Sequence, residues 1–386
     1  MKDLLLITPP FTQLNTPYPA TAYLKGFLNT KNISSYQIDL GIEVILEIFS
    51  KKGVTEIFNV KPKNLSENAH RIFALREEYI KTIDEVIAFL QNKKPTLARQ
   101  ICSMNFLPEA SRFNQLDDME YAFGNMGLQD KAKHLATLYL EDLSDYIVEN
   151  IDENFGFSRY AERLGRSANS FDELYEKLQS EKTFVDNFTV EILDKKLLET
   201  KPKLVCFSVP FPGNLYSAFR CAQYIKNHYP NIKTAFGGGF ANTELRDLKD
   251  KRVFEFFDFI TLDDGELPIE LLFENVCHSE QSEESLFKRT FLLENGEVVY
   301  KNNSEKHDYK QAEIGTPDYT DLPLDQYISV IEIANPMHSL WSDGRWNKLT
   351  MAHGCYWGKC TFCDISLDYI KIYEPIAAKI LVDRMQ

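Results

Sequence analysis

Near the start of the chain four apolar residues stand in a row, Leu4-Leu5-Leu6-Ile7, and the run is stopped at once by Pro9-Pro10. A run that is apolar at every position, rather than at alternate ones, belongs to a strand covered on both faces, and such strands build parallel sheets. Thr21 to Asn29 then reads as a helix with Ala22, Leu24, Phe27 and Leu28 on one side, and Ser35 to Gly41 as a second strand. Strand, helix and strand in this order make a βαβ unit with a right-handed crossover.

The alternation then stops. Helical periods fill 42–200, clearest in Ser66 to Gln91 and in Asp130 to Asn150, where Leu135, Tyr139, Leu143, Tyr146 and Ile147 form one stripe. Ser170 and Glu173 have the spacing of a capping box for a helix at Phe171 to Leu178. The sheet pattern resumes with strands at Lys203–Val209, Lys233–Phe236 and Asp258–Leu262, separated by helices at Leu215–His228 and around Thr243–Leu248 and followed by one at Leu267–Val276. The predicted fold is α/β: a doubly wound parallel five-stranded sheet over 1–41 and 201–277, with an all-helical insertion over 42–200. In such sheets ligands sit beyond the carboxyl ends of the strands, and there this sequence places Ser208, Gly237-Gly238-Gly239 and Asp263-Asp264-Gly265-Glu266.

Over 278–326 the sequence offers a polar insertion at His278–Ser285, a hairpin from Phe287 to Lys301 around Asn295-Gly296, and a linker rich in turn residues. Tyr327–Ile333 and Lys348–Ala352 then look strand-like, and a polar and aromatic patch (Asn335 to His338, Trp341, Gly344 to Lys348) lies between them. Its tryptophans serve either to line a cleft between two domains or to staple the linker down.

Composition excludes several functions. A net charge of -14 argues against nucleic-acid binding, which draws most of its affinity from a basic face. Apolar runs are too short for a membrane span, and Met1–Ile7 is too short for a secretory signal. Seven cysteines, an odd number with no regular framework, fit a reducing cytoplasm. Cys206 and Cys221 sit in apolar contexts as core residues, and His228 and His278 read as surface positions.

Three of the seven cysteines fall together in Cys355-x4-Cys360-x2-Cys363. Three thiolates on one short loop suit a soft metal centre, and three ligands on a [4Fe-4S] cube leave one iron open. Gly354 and Gly358 let the backbone turn tightly around them. The rival reading is structural zinc with His353 or an outside residue as fourth ligand, although only Cys360 and Cys363 form the short knuckle that such sites favour.

This loop resembles that of the radical S-adenosylmethionine (SAM) enzymes, which usually read Cys-x3-Cys-x2-Cys with an aromatic before the last cysteine. Phe362 matches the aromatic, and the first gap here is one residue longer. Together with the sheet pattern and the Pro317-Asp318-Tyr319 and Leu322-Pro323-Leu324-Asp325 linker, the chain resembles the cobalamin-binding branch of that family. The resemblance covers the sheet elements and everything after about Gly315, and not the helical insertion.

It implies that 327–386 begins a partial (β/α) barrel, that Cys355, Cys360 and Cys363 hold a [4Fe-4S] cluster, and that SAM and an electron donor act there. It also implies that Ser208 and Gly237-Gly238-Gly239 lie against the nucleotide tail of cobalamin; read without it, the glycines make a tight turn. The loop after the first strand, Thr8 to Asn15, holds neither the Asp nor the His that supplies the family's lower cobalt ligand, so cobalamin is expected either without a protein histidine or not at all. Only 365–386 follow the cluster loop that ends at Asp364, an unfinished barrel from which little turnover is expected. A non-catalytic cobalamin- or nucleotide-binding module with a zinc-bound or vestigial loop is the alternative. The acidic turn 263–266 reads as solvated rather than metal-binding.

Overall fold

The computed structural model describes residues 2–62, 66–103, 105–115, 127–166, 170–277, 285–330, 348–361 and 363–385. Five strands, β1 (Leu4–Thr8), β2 (Ser35–Asp39), β3 (Leu204–Ser208), β4 (Lys233–Gly237) and β5 (Phe259–Thr261), run parallel in the order β2-β1-β3-β4-β5. Leu4, Leu5, Leu6 and Ile7 are each 0% exposed, as a continuously apolar strand covered on both faces requires. Leu6 stands opposite Cys206, and Cys206 opposite Ala235, so the thiol is part of the core.

The hairpin forms as β6 (Thr290–Glu294) and β7 (Glu297–Lys301), with Asn295 at φ 52° and Gly296 at φ 81°, the paired positive angles of a tight hairpin turn. It does not stand apart on the surface. β6 pairs antiparallel with β5, so the sheet has seven strands, mostly parallel, where the sequence predicts five. Local patterning writes a hairpin but not the strand it docks on.

The described part of 42–200 contains helices and no strand. The helix expected from Ser66 to Gln91 is two, Glu67–Ala74 and Arg76–Leu90, broken at Leu75. Leu128–Asn150 buries the predicted stripe whole. The capping box expected at Ser170 and Glu173 is absent: Ser170 lies two residues before the helix Asp172–Gln179 and its Oγ takes only the Asp172 N–H, at 3.1 Å. A capping box closes the next helix instead, Phe184–Thr200, with Thr183 at the N-cap and Asp186 three residues on. Asp186 also meets Arg220 Nε at 2.9 Å and Tyr216 Oη at 2.7 Å, fastening the helical segment to the helix Pro212–His228 that follows β3. The helix expected around Thr243–Leu248 starts earlier, at Gly239–Glu244, because the chain turns directly off β4 at Gly238.

The strand expected at Lys348–Ala352 shrinks to β8 (Ala352–His353), paired antiparallel with β9 (Glu374–Pro375). Side chains take the backbone groups a neighbouring strand would need: Thr350 N–H donates to Tyr23 Oη at 2.7 Å, and Tyr319 Oη donates to the Lys348 carbonyl at 3.3 Å. Tyr327–Val330 is likewise no strand, since Ile328 N–H goes to Leu14 and Ser329 N–H to Leu90, on two different elements. The insertion 278–284, residues 331–333 and the patch 335–347 lie outside the described residues. The linker is pinned to the helix Ala20–Thr30, where Lys25 Nζ reaches Asp321 Oδ2 at 2.5 Å and Asp318 Oδ2 at 3.5 Å. Cys206 and Cys221 are buried, and His228 is exposed and stacked on Tyr224. Among the described residues no helix is long and apolar enough to cross a membrane.

Candidate functional site

The five parallel strands end on one side of the sheet, the side on which ligands sit in such folds, and the strand order reverses between β1 and β3. A cavity of about 230 Å³ opens on that side, lined by Ser208, Gly237 and Gly238 among others. Ser208, the last residue of β3, stands opposite Gly237, the last of β4. The structure thus gathers three of the four residues that the resemblance assigns to the nucleotide tail, while Gly239 is outside the lining and begins the next helix.

Internal crowding explains the glycines. Gly238 has φ +101°, and a Cβ on it would come within 2.8 Å of the Val209 carbonyl oxygen. A Cβ on Gly237 would meet Thr261 Oγ1 at 2.8 Å and one on Gly239 the Pro210 oxygen at 2.8 Å, so all three positions are filled by neighbouring chain.

The acidic turn after β5 shares this cavity, and it is not simply solvated. Asp263 is paired with Arg246 and lies 3.6 Å from Arg289, and its N–H donates to Asn242 Oδ1 at 2.7 Å. Asp264 Oδ2 lies 3.4 Å from His353 Nε2, and that contact outweighs burial in raising the imidazole's pKa. Glu266 is half-buried; burial first, and then the Asp264 charge, push its carboxyl up to about 7. The sequence held the clue to this cluster in three carboxylates placed at the carboxyl end of a predicted parallel strand. The partnership with His353 had no local signature.

His353 carries the site over to the cysteines. Directly after β8, Gly354 takes φ +71°, and a Cβ there would stand 2.0 Å from the Ile372 carbonyl oxygen, so only glycine passes. Gly358 also has positive φ, at +56°, as the tight loop demands. Cys355 N–H donates to the Ile370 carbonyl at 2.8 Å. Hydrogen bonds from the Gly358 and Trp357 backbones hold the Cys355 thiol below its ordinary pKa, favouring the thiolate that binds metals. Cys355, Cys360 and Cys363 are all half-buried and free of disulfides, and Phe362 lies outside the described residues. Among the described residues no three His, Cys, Asp or Glu side chains are gathered as a metal-binding group. A cleft of about 650 Å³ is lined by Asp263, Asp264 and Arg289 from the sheet region and by His353, Tyr369 and Glu374 from the cysteine segment, among others.

The donor set fits an iron-sulfur cluster in kind: three free thiols, one of them biased to thiolate, on a loop that two positive-φ glycines turn. The sheet edge does not fit the nucleotide tail of cobalamin. The cavity is only about 230 Å³ and carries Asp264 and Glu266, against which the tail's phosphodiester would set one more negative charge. Compared with known proteins, the chain matches no family model, no curated protein and no solved structure.

Proposed function

We propose that the chain is a radical SAM protein whose sheet domain is of the type found in the cobalamin-binding branch, with a [4Fe-4S] cluster held by Cys355, Cys360 and Cys363. The observation that carries this reading is the loop itself: the spacing Cys-x4-Cys-x2-Cys, turned by Gly354 and Gly358, with Cys355 biased to thiolate by two backbone N–H groups. When bound, the cluster would supply the single electron that cleaves SAM and starts radical chemistry.

The chain's own contribution is positional. β8 and β9 fix the two ends of the loop against each other, and the His353–Asp264 contact ties the start of the loop to the acidic turn after β5. Phe362 stands next to the last ligand, the position of the family's aromatic, and an external reductant is the implied partner. Zinc is the weaker reading, because His353 Nε2 faces Asp264 rather than the cysteines.

Anaerobic reconstitution of the full chain with iron and sulfide tests the proposal. About four iron and four sulfide per chain are expected, falling sharply in Cys360→Ala. Stoichiometric zinc without iron would sink it.

A further inference from the structure

Two consecutive residues of the sheet region, Asp263 and Asp264, reach the cysteine segment at two different points, each through a basic side chain. Asp264 meets His353, two residues before Cys355. Asp263 pairs with Arg246, whose guanidinium carbon lies 5.7 Å from the centre of the Tyr369 ring, in the short helix Asp368–Lys371 after the cysteines. The residue after Tyr369, Ile370, accepts the Cys355 N–H at 2.8 Å, and a Cβ on Gly354 would stand 3.2 Å from the same carbonyl oxygen. Gly354 and Cys355 therefore rest directly on this backbone, and a shift of the helix is a shift of Cys355.

The sheet end of these contacts is the rigid one. Asp263 (φ 63°) and Arg289 (φ 44°) both take left-handed backbone conformations, which residues other than glycine keep only where their surroundings over-determine them. The Arg289 side chain, 12% exposed, does this by donating to the Leu262 carbonyl at 3.3 Å and the Asp264 carbonyl at 3.2 Å while gripping both oxygens of Asp308 at 2.7 Å. Arg246 is anchored as well: its Nε donates to the Asn242 carbonyl at 2.8 Å, and the Asn242 side chain receives the Asp263 N–H at 2.7 Å. A guanidinium can pair with a carboxylate and at the same time lie over an aromatic face, so Arg246 can carry the fixed turn across to Tyr369. At the far end the exposed Tyr356 and Trp357 of the loop lend it little packing of its own.

We propose that Arg246 is a positioning residue for the [4Fe-4S] cluster, setting where Cys355 stands relative to Cys360 and Cys363. It acts through Tyr369 and Ile370 and is not a ligand. The proposal rests on the cluster reading of the loop and adds that the sheet region takes part in the ligand geometry.

The test compares the unsubstituted full chain with Arg246→Ala, Tyr369→Leu and the double variant. Each is reconstituted anaerobically with iron and sulfide, reduced with dithionite and read by electron paramagnetic resonance; in the metal-free chain, amide exchange is followed in a peptide containing Cys355. Each single variant should shift the g values of the reduced cluster and quicken Cys355 exchange about tenfold, and the double variant should do no more than either alone. A role confined to stability would lower the urea midpoint and leave the g values where they were, which would overturn the proposal. Arg246 is 26% exposed, circular dichroism establishes that each variant is folded, and Tyr369→Leu carries the test should Arg246→Ala not fold. Unchanged exchange in both single variants, or additive effects in the double variant, overturns the proposal and leaves the cluster reading intact. No iron uptake by the unsubstituted chain overturns both.

Discussion

The parallel sheet and the cysteine segment are held in opposite ways. Every residue of β1 and β3 is buried, and the aromatic rings behind β4 (Phe219, Phe236, Phe257) sit 5.0–6.1 Å from one another. From 348 onward, Met351, Tyr356, Trp357, Ile365, Ile372, Tyr373, Val382 and Met385 are exposed, and the ties to the rest of the molecule are polar. These include Lys348 to Gln13 at 2.9 Å, Thr350 to Tyr23 at 2.7 Å, His353 to Asp264 at 3.4 Å and Arg384 to the Gln311 carbonyl at 2.6 Å. The sheet draws its order from excluded water. The cysteine segment draws its order from individual hydrogen bonds and, on the proposed reading, from its metal, whose binding free energy adds to the stability of whatever it cross-links.

Aromatic truncation on each side tests this contrast most strongly. Phe236 is fully buried and its replacement leaves a cavity, so Phe236→Ala should cost about 3–5 kcal/mol of global stability in urea denaturation. Trp357 is 57% exposed, and Trp357→Ala should cost about 0.5 kcal/mol or less. Comparable losses would mean that the cysteine segment also rests on burial, and the contrast would fail.

A smaller effect is expected at the seam between sheet and linker. Asp39 ends β2, caps the helix Leu40–Ile48 through Gly41 N–H at 2.9 Å, and accepts from Tyr327 Oη at 2.8 Å. Burial nevertheless pushes its carboxyl up from 3.8 to about 6, against the lowering effect of those hydrogen bonds. A carboxyl that holds its proton more tightly folded than unfolded favours the fold in its protonated form. That contribution is full below about pH 4, fades as the pH climbs to about 6, and is absent above, for a total of about 3 kcal/mol. Asp39→Asn keeps a side-chain oxygen for the cap but has no proton to lose. Its stability measured from pH 4 to 7 should therefore fall less than that of the unsubstituted chain, and parallel curves would refute the assignment.

The same contrast accounts for what the sequence could reveal. β1 and β3 were readable because burial on both faces writes an unbroken apolar run, and Leu128–Asn150 because one buried stripe writes a helical period. The docking of β6 onto β5 was not readable, since nothing in a hairpin names its neighbour. At the site, the cysteine spacing and the glycines at 354 and 358 announced a tight loop. Gly237-Gly238-Gly239 announced a close approach but not of what, and the approaching atoms belong to Thr261, Val209 and Pro210. The meeting of Asp264 with His353 joins two segments far apart in the chain, beyond the reach of any local pattern.

The smallest expected effect lies where the two regions touch. Thr350 N–H donates to Tyr23 Oη at 2.7 Å, and the ring that carries this hydroxyl belongs to a helix of the sheet region. Tyr23→Phe removes the acceptor and keeps the ring, at a cost of about 1 kcal/mol for one hydrogen bond. If the cysteine segment is held by separate polar ties, that cost stays local: amide exchange in a peptide spanning 348–353 should quicken about fivefold while the global urea midpoint hardly moves. If instead the midpoint shifts by the full amount and the peptide exchanges no faster than the strands, the two regions unfold as one cooperative unit. The hydrogen bonds at the seam would then couple the cysteine loop to the core directly, and the sheet's stability would be available to position the cluster ligands before any metal arrives.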